Sequence, residues 1–288
     1  MANPDLRLRA IALFSTLSPW WRFRLYKRLI KDPYGCGGPD DRVRIRVSPH
    51  NYEMELSRAD WMERFTIDTG YFFHAEIIAA LQHFLRPGDS FVDVGANIGF
   101  VTLTAAELVG PAGQVFSFEP NRDLAGRLLR TFEENGIGNV SLSRIALADR
   151  TGELVLVSDN HHGNRHVSTD PKASGDSVPV SRADDQLRDK LPEHKRILIK
   201  IDVEGAEMMV LRGMTDLIRR SNMVFLIEIN DEMLRRNGAS AGEVFALMQG
   251  AGYTALIPRI SPFSGKLAAR PLGERKPSDH DFLFVRAE

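Results

Sequence analysis

Ser90-Phe-Val-Asp-Val-Gly-Ala-Asn-Ile-Gly-Phe100, followed by Gln114-Val-Phe-Ser-Phe-Glu-Pro120, holds two short apolar runs that each lead into a carboxylate-bearing turn. The first breaks into Gly95 and Gly99, with Asp93 just before and Asn97 between them. Strand, glycine turn and helix in that order let backbone approach a ligand closely, because a residue without Cβ leaves room and accepts unusual dihedrals. The second run closes on Glu119, where a carboxylate can accept both hydroxyls of a ribose. Together they predict a nucleoside-cofactor pocket.

Working outward, strand-like and helix-like segments alternate from Ser90 onward, the pattern of a mostly parallel sheet covered by helices on both faces. Strands read at Ser90–Val94, Gln114–Phe118, Val140–Ala146, Arg196–Val203 and Met223–Ile229. Most are near-continuous apolar runs, as strands buried on both faces should be. Helices are predicted near Phe100–Leu108, Asp123–Asn135 and Ala206–Arg219, with Asn121 or Asp123 capping the second and Gly136 ending it. Alternating segments Gly152–Asp159 and Ser177–Ser181 flank the polar stretch Asn160–Gly175, which predicts an inserted or edge hairpin with a long loop. After a helix near Ala241–Ala251, Tyr253–Pro258 and His280–Arg286 read as a terminal antiparallel hairpin around the span Arg259–Pro277.

The glycine turn also selects among cofactors. A nicotinamide-binding turn calls for G-x-G-x-x-G, whereas this one is Gly95-Ala-Asn-Ile-Gly99. Dinucleotides place a pyrophosphate on the helix N-terminus, while S-adenosylmethionine has no phosphate and carries an ammonium and a sulfonium. Asp93 can organise that cation-bearing part and Asn97 can hydrogen-bond its polar ends.

A third cluster is Ile199-Lys-Ile-Asp-Val-Glu-Gly-Ala-Glu207. Lys200 and Asp202 interrupt a strand that otherwise reads as buried, and unpaired buried charges are costly, so the two are predicted to be paired. Asp202 is assigned to the site; Glu204 and Glu207 either join it or favour the following helix N-terminus. Glu228 and Asn230, ending the fifth strand, reach the same edge and offer oxygen ligands of the kind Mg²⁺ takes. No histidine joins them at ligand-like spacing, and no metal is assigned. His161, His162 and His166 cluster in the insert loop, where groups titrating near neutrality can meet substrate or act as a base.

Thirty-seven Lys and Arg against 38 Asp and Glu leave a formal charge of −1, so no global basic field points to nucleic acid. The single cysteine, Cys36, excludes an internal disulfide and fits a reducing compartment, with the cytoplasm expected. Neither a membrane span nor a signal peptide is predicted. Residues 1–59 form an N-terminal extension, partly helical, ahead of a domain over residues 60–288. Within it, residues 6–31 mix seven Lys/Arg with aromatics, giving an amphipathic helix that packs on the domain, on a second subunit of a homo-oligomer, or on a membrane surface.

The motifs Phe91-Val-Asp-Val-Gly-Ala-Asn-Ile-Gly99, Phe118-Glu-Pro120, Ala146-Leu-Ala-Asp149 and Ile199-Lys-Ile-Asp-Val-Glu-Gly-Ala-Glu207 resemble those of the FkbM family of S-adenosylmethionine-dependent methyltransferases. The likeness covers roughly Asp60 to Asn230 and is carried most by the last motif. It implies a Rossmann-like class I methyltransferase fold, α/β, with a seven-stranded sheet in the order 3-2-1-4-5-7-6 and an antiparallel last strand. It also implies methyl transfer, usually to a hydroxyl oxygen. Carried over, Asp93, Gly95, Asn97 and Gly99 line the methionine side, Glu119 the ribose, and Ala146, Leu147 and Asp149 the adenine side, while Asp202 and Glu204 face the substrate mouth. One departure stands upstream: where the family often has glycine followed by Tyr-Glu, this chain reads Gly70-Tyr-Phe-Phe-His-Ala-Glu76.

The acceptor is expected to be a small molecule or glycan, held by Asn160–Gly175 and Arg259–Pro277. Removing a hydroxyl proton needs a base, for which Asp202, Glu204 and His166 are the candidates. A cofactor-binding recognition module without catalysis and a nicotinamide-dependent oxidoreductase remain as alternatives.

Overall fold

The computed structural model describes residues 25–26, 28, 41–47, 52–72, 74–158, 165–170, 172–261, 266–272 and 280–286. In chain order these form β1 (Arg42–Val47), β2 (Tyr52–Ser57), α1 (Trp61–Thr69), α2 (Ala75–Phe84), β3 (Ser90–Val94), α3 (Phe100–Val109), β4 (Gln114–Phe118), α4 (Arg122–Asn135), β5 (Val140–Ser143) and β6 (Ala146–Ala148). There follow β7 (Gly152–Ser158), β8 (Arg165–Ser168), β9 (Asp176–Arg182), α5 (Ala183–Leu187), β10 (Ile197–Ile201), α6 (Glu207–Arg212), β11 (Met223–Ile229), α7 (Asp231–Arg236), α8 (Ala241–Gly250), β12 (Tyr253–Ile257), β13 (Arg270–Pro271) and β14 (His280–Arg286).

The main sheet runs β13-β12-β14-β11-β10-β3-β4-β5. Strands β5, β4, β3, β10 and β11 are parallel, and β14 inserts antiparallel between β11 and β12. Without the short edge strand β13, this is the 3-2-1-4-5-7-6 order, with the antiparallel strand in its expected place. Central strands β3 and β10 are buried along their whole length, which is why they read as apolar runs. One core cluster, including Val92, Ile199 and Phe225, lies on one face, and a second, including Phe91, Leu198 and Leu226, on the other.

Three boundaries differ from the sequence reading. The segment read as one strand over Val140–Ala146 divides: Val140–Ser143 stays at the sheet edge beside β4, while Ala146–Ala148 pairs with β9 in a separate sheet. The helix expected over Ala206–Arg219 ends at Arg212, because Gly213 lies against the Ala148 carbonyl and the buried Asp184 carboxylate draws the N–H groups of Asp216 and Leu217 into a 3₁₀ turn. The polar span Asn160–Gly175 contains β8, so the insert is a four-stranded sheet in the order β6-β9-β7-β8. Its β7–β9 pair is antiparallel, as a hairpin reading requires.

The β1–β2 hairpin rests on α4, where Glu53 and Asn135 bond reciprocally and Arg44 reaches Glu134 at 2.6 Å. Its Ile45, Met54 and Leu56 share a cluster with Ile98, Leu103 and Leu128 of the main fold. Of residues 6–31 only 25, 26 and 28 are described, so the amphipathic reading lies mostly outside the described residues. Tyr26 is buried, donates to Asp68 at 3.1 Å and meets Phe65 edge-on at 4.9 Å. No helix among the described residues is long and apolar enough to cross a membrane.

Candidate active site

The C-terminal ends of β3, β4, β10 and β11 open into a cavity of about 790 Å³. The turn after β3 supplies its floor. Gly95, Asn97 and Gly99 all take the left-handed conformation, with φ of 87°, 53° and 92°. A Cβ at Gly95 would strike the Asp202 backbone carbonyl, so Gly95 is demanded by space as well as dihedral, while one at Gly99 would meet only the end of the Leu128 side chain, and there the positive φ makes the demand. The amides of Gly95 and Ala96 both donate to the Phe118 carbonyl at 3.0 Å, closing the turn onto β4. Among the described residues two non-glycine residues have positive φ, Asn97 and Glu204, and both line this cavity; such dihedrals gather where function requires them.

Glu119 accepts from the Asn97 amide through one oxygen and from the Asn121 amide through the other, each at 2.8 Å. Burial raises its pKa, and those two hydrogen bonds oppose the rise. Each oxygen keeps a second lone pair, the complement of a ribose diol. Ala146 and Leu147 form an apolar wall. Asp149 is not on that wall: its carboxylate meets Arg150 at 3.9 Å, and its carbonyl takes an Arg182 N–H at 3.1 Å.

Asp93 also lies one layer behind the lining. It is fully buried, accepts from Thr102 Oγ1 at 2.6 Å, and its Oδ1 stands 3.8 Å from Lys200 Nζ. Lys200 does reach the cavity and donates to Asp202 at 2.9 Å. Burial alone would lower its pKa, but the Asp202 and Asp93 carboxylates more than reverse this and raise it. The pairing read from the sequence is thus present and three-membered.

Burial disfavours charge on Asp202 as well, yet Lys200, a hydrogen bond from Glu228 and the field of His74 carry its pKa below the usual range. Glu228 behaves oppositely. The Asp202 charge first, then burial, pushes it well above the carboxylate range, so it holds the proton of the pair. One oxygen each from Asp202, Glu204 and Glu228 lies within 4.8 Å of the others. Lys200, shared between Asp93 and Asp202, offsets part of their charge.

Glu207 turns away from this chemistry. It is buried and accepts the N–H groups of Val203 and Gly205 at 3.1 and 3.0 Å, bracing the strand-to-helix turn. Burial raises its carboxyl to about 7. On β8, Arg165 and Val167 line the cavity and His166 between them does not, as alternation along a strand dictates. His161 and His162 lie outside the described residues. Asn237 holds β8 in position, accepting from Thr169 and donating to the carbonyls of Val167 and Gly205.

Two contributors escaped the sequence reading. Arg127 on α4 pairs with the buried Glu63 on α1 at 2.5 Å and donates to the Glu55 carbonyl at 2.8 Å, bringing the extension to the cavity wall. His74, just before α2, lines the cavity near Asp202. The unusual spacing Gly70-Tyr-Phe-Phe-His-Ala-Glu76 was its only advance signal.

Residues 93–255 match the family model of the methyltransferase FkbM domain, and the chain belongs to that family. Hexuronic acid methyltransferase AglP of Haloferax volcanii is 31% identical over 157 residues, which are 54% of this chain and 62% of AglP. The chain therefore spans less than two thirds of that relative. The 31-O-demethyl-FK506 methyltransferase FkbM of Streptomyces tacrolimicus is 29% identical over 212 residues, covering 63% of this chain and 78% of the relative. Among solved structures, M. jannaschii TYW2 in complex with AdoMet aligns with a TM-score of 0.41 at 13% identity, covering 87% of this chain and 89% of that one. Family membership makes S-adenosylmethionine the cofactor, and the residues present suit it: a Gly95 position with no room for Cβ, the Glu119 carboxylate at the end of β4 and no phosphate-binding G-x-G-x-x-G turn.

Proposed function

We propose that this protein transfers a methyl group from S-adenosylmethionine to a hydroxyl oxygen of a glycan or small metabolite. The observation that supports this best is the continuity of the cavity. One end has Glu119, Leu147 and the glycine turn for an adenosyl group, and the other has Asp202, Glu204, Glu228, Asn230 and Met233 for an acceptor. Relatives named for acting on a hexuronic acid and on 31-O-demethyl-FK506 are consistent with a hydroxylated acceptor.

S-Adenosylmethionine supplies an electrophilic methyl group, so the protein's work is alignment, exclusion of water and management of one proton. Proximity and orientation are worth roughly 7–11 kcal/mol in such cases. Gly95, Asn97 and Gly99 hold the methionine side, and behind them Asp93 pairs with Lys200 and Thr102. Glu119 holds the ribose, and Ala146 and Leu147 the adenine. Asp202, kept ionised by Lys200, organises the acceptor end with Glu204 at the mouth. Asp202 is a weak base for that same reason, and His166 lies off the cavity wall.

Calorimetry with S-adenosylhomocysteine and NADH, paired with labelled methyl transfer to glycan and metabolite libraries, tests this. Binding of S-adenosylhomocysteine with label appearing on an acceptor oxygen is expected. Binding without turnover on any acceptor would instead favour a recognition module, and preference for NADH an oxidoreductase.

A further inference from the structure

We propose that His74 is the general base that takes the proton from the acceptor hydroxyl. The inference rests on the hydroxyl-methylation reading above. His74 precedes the first turn of α2 and lines the cavity on the side where Lys200, Asp202 and Glu228 converge. Phe72 packs between it and the methionine-side helix, its ring 4.6 Å from Phe100 and 5.6 Å from the imidazole. The ring thereby lines the same cavity as Asp202 and lies within the field of that carboxylate. Base plus orienting carboxylate is a recurring solution for drawing a proton from a hydroxyl.

The groups that act on His74 are Asp202 and Lys200 on the β10 edge and Glu76 on its own helix. Burial lowers its pKa most, Lys200 adds to the lowering, and Asp202 and Glu76 oppose them. Burial, the largest of these effects, thus favours the neutral imidazole, the form that can take a proton. Once it accepts, Asp202 faces a cation instead of a neutral ring. Of the other groups, Lys200 offsets the charge of Asp202, Glu228 is pushed toward its protonated form and His166 does not line the cavity, which leaves Glu204 at the mouth as the rival base.

The step balances. As the acceptor oxygen bonds the methyl carbon, the carbon–sulfur pair stays on sulfur and the hydroxyl proton moves to a ring nitrogen of His74. Positive charge thus passes from sulfonium to imidazolium within one cavity, and the total is unchanged.

The test uses the full chain and His74→Gln. Affinity for S-adenosylhomocysteine should stay within about threefold, while kcat for the hydroxyl acceptor falls on the order of 10²–10⁴-fold with KM little moved. The acidic limb of the wild-type kcat profile near neutrality should vanish. Wild-type kcat in His74→Gln would overturn the assignment while leaving hydroxyl methylation intact. Label found only on nitrogen, with His74→Gln unaffected, would overturn both. A second readout needs no turnover: by NMR, the His74 ring of the wild-type chain should titrate below 6.5, and Asp202→Asn should lower it further. A ring that ignores Asp202→Asn would remove the pairing on which the assignment stands.

Discussion

The Glu119 carboxylate accepts the Asn97 amide at 2.8 Å, so the turn after β3 and the end of β4 are joined through a side chain that lines the cavity. Replacing it disturbs two things at once. In Glu119→Gln the amide nitrogen can only donate, and it must face the donor at Asn97 or at Asn121. Affinity for S-adenosylhomocysteine should fall roughly 10- to 100-fold, the equivalent of about 1.5–3 kcal/mol for a charged hydrogen bond. Unchanged affinity by calorimetry would separate Glu119 from the ribose.

Asp202→Asn removes the partner of Lys200 and the carboxylate beside His74. Turnover should be lost while cofactor binding persists, since the Glu119 and glycine-turn contacts are untouched. Because Lys200 and the proton on Glu228 already offset the acidic cluster, excess EDTA should leave wild-type methyl transfer unchanged. A chelator-sensitive rate would place a divalent ion among the carboxylates.

Arg127→Met should be costly for stability. It strands Glu63, whose carboxyl is buried and raised by that burial against the opposing pull of Arg127. Breaking a buried pair by removing one partner typically costs about 3–5 kcal/mol. The double variant Arg127→Met with Glu63→Met should recover much of the loss. Denaturant unfolding of both variants measures this, and equal losses would assign the cost to lost packing instead.

Glu207 predicts a pH dependence of stability. Its carboxyl sits at about 7 in the folded chain, above the 4.5 it starts from, so folding favours the protonated form. That advantage is fully present below about 4.5 and is lost as pH rises through 7, leaving the buried anion roughly 3 kcal/mol worse off at pH 8. Glu207→Gln keeps an oxygen for the Val203 and Gly205 amides and places an amide where Oε2 has no hydrogen-bond partner among the described residues. It should therefore be more stable than wild type at pH 8 and nearly equal at pH 4.5 in urea melts. Parallel stability curves for the two chains would exclude Glu207 as the titrating group.

Strands β3, β4 and β11 were legible to the residue because each is a mostly apolar run, broken by only one or two polar residues and bounded by polar turns. The Gly95–Gly99 turn was legible for a similar local reason: its demand for glycine is written at each position. Val140–Ala146 was misread as one strand because edge pairing with β4 and pairing with β9 leave the same alternating trace, and only the partner distinguishes them. Helix α6 was overextended because the close approach of Gly213 to Ala148 is a contact across the fold.

What the sequence determined by itself was the alternation of strands and helices from Ser90 onward, the glycine turn after β3 and the carboxylate ending β4, all set by local chemistry at fixed spacing. Only tertiary structure decided which charges meet. It withdrew Asp93 behind Lys200, gave Glu228 its proton, turned Glu207 into a brace, left His166 off the cavity wall and brought His74 beside Asp202. The reason is physical: a carboxylate or imidazole acquires its role from burial and from partners that lie far away along the chain, and neither is encoded in its neighbours.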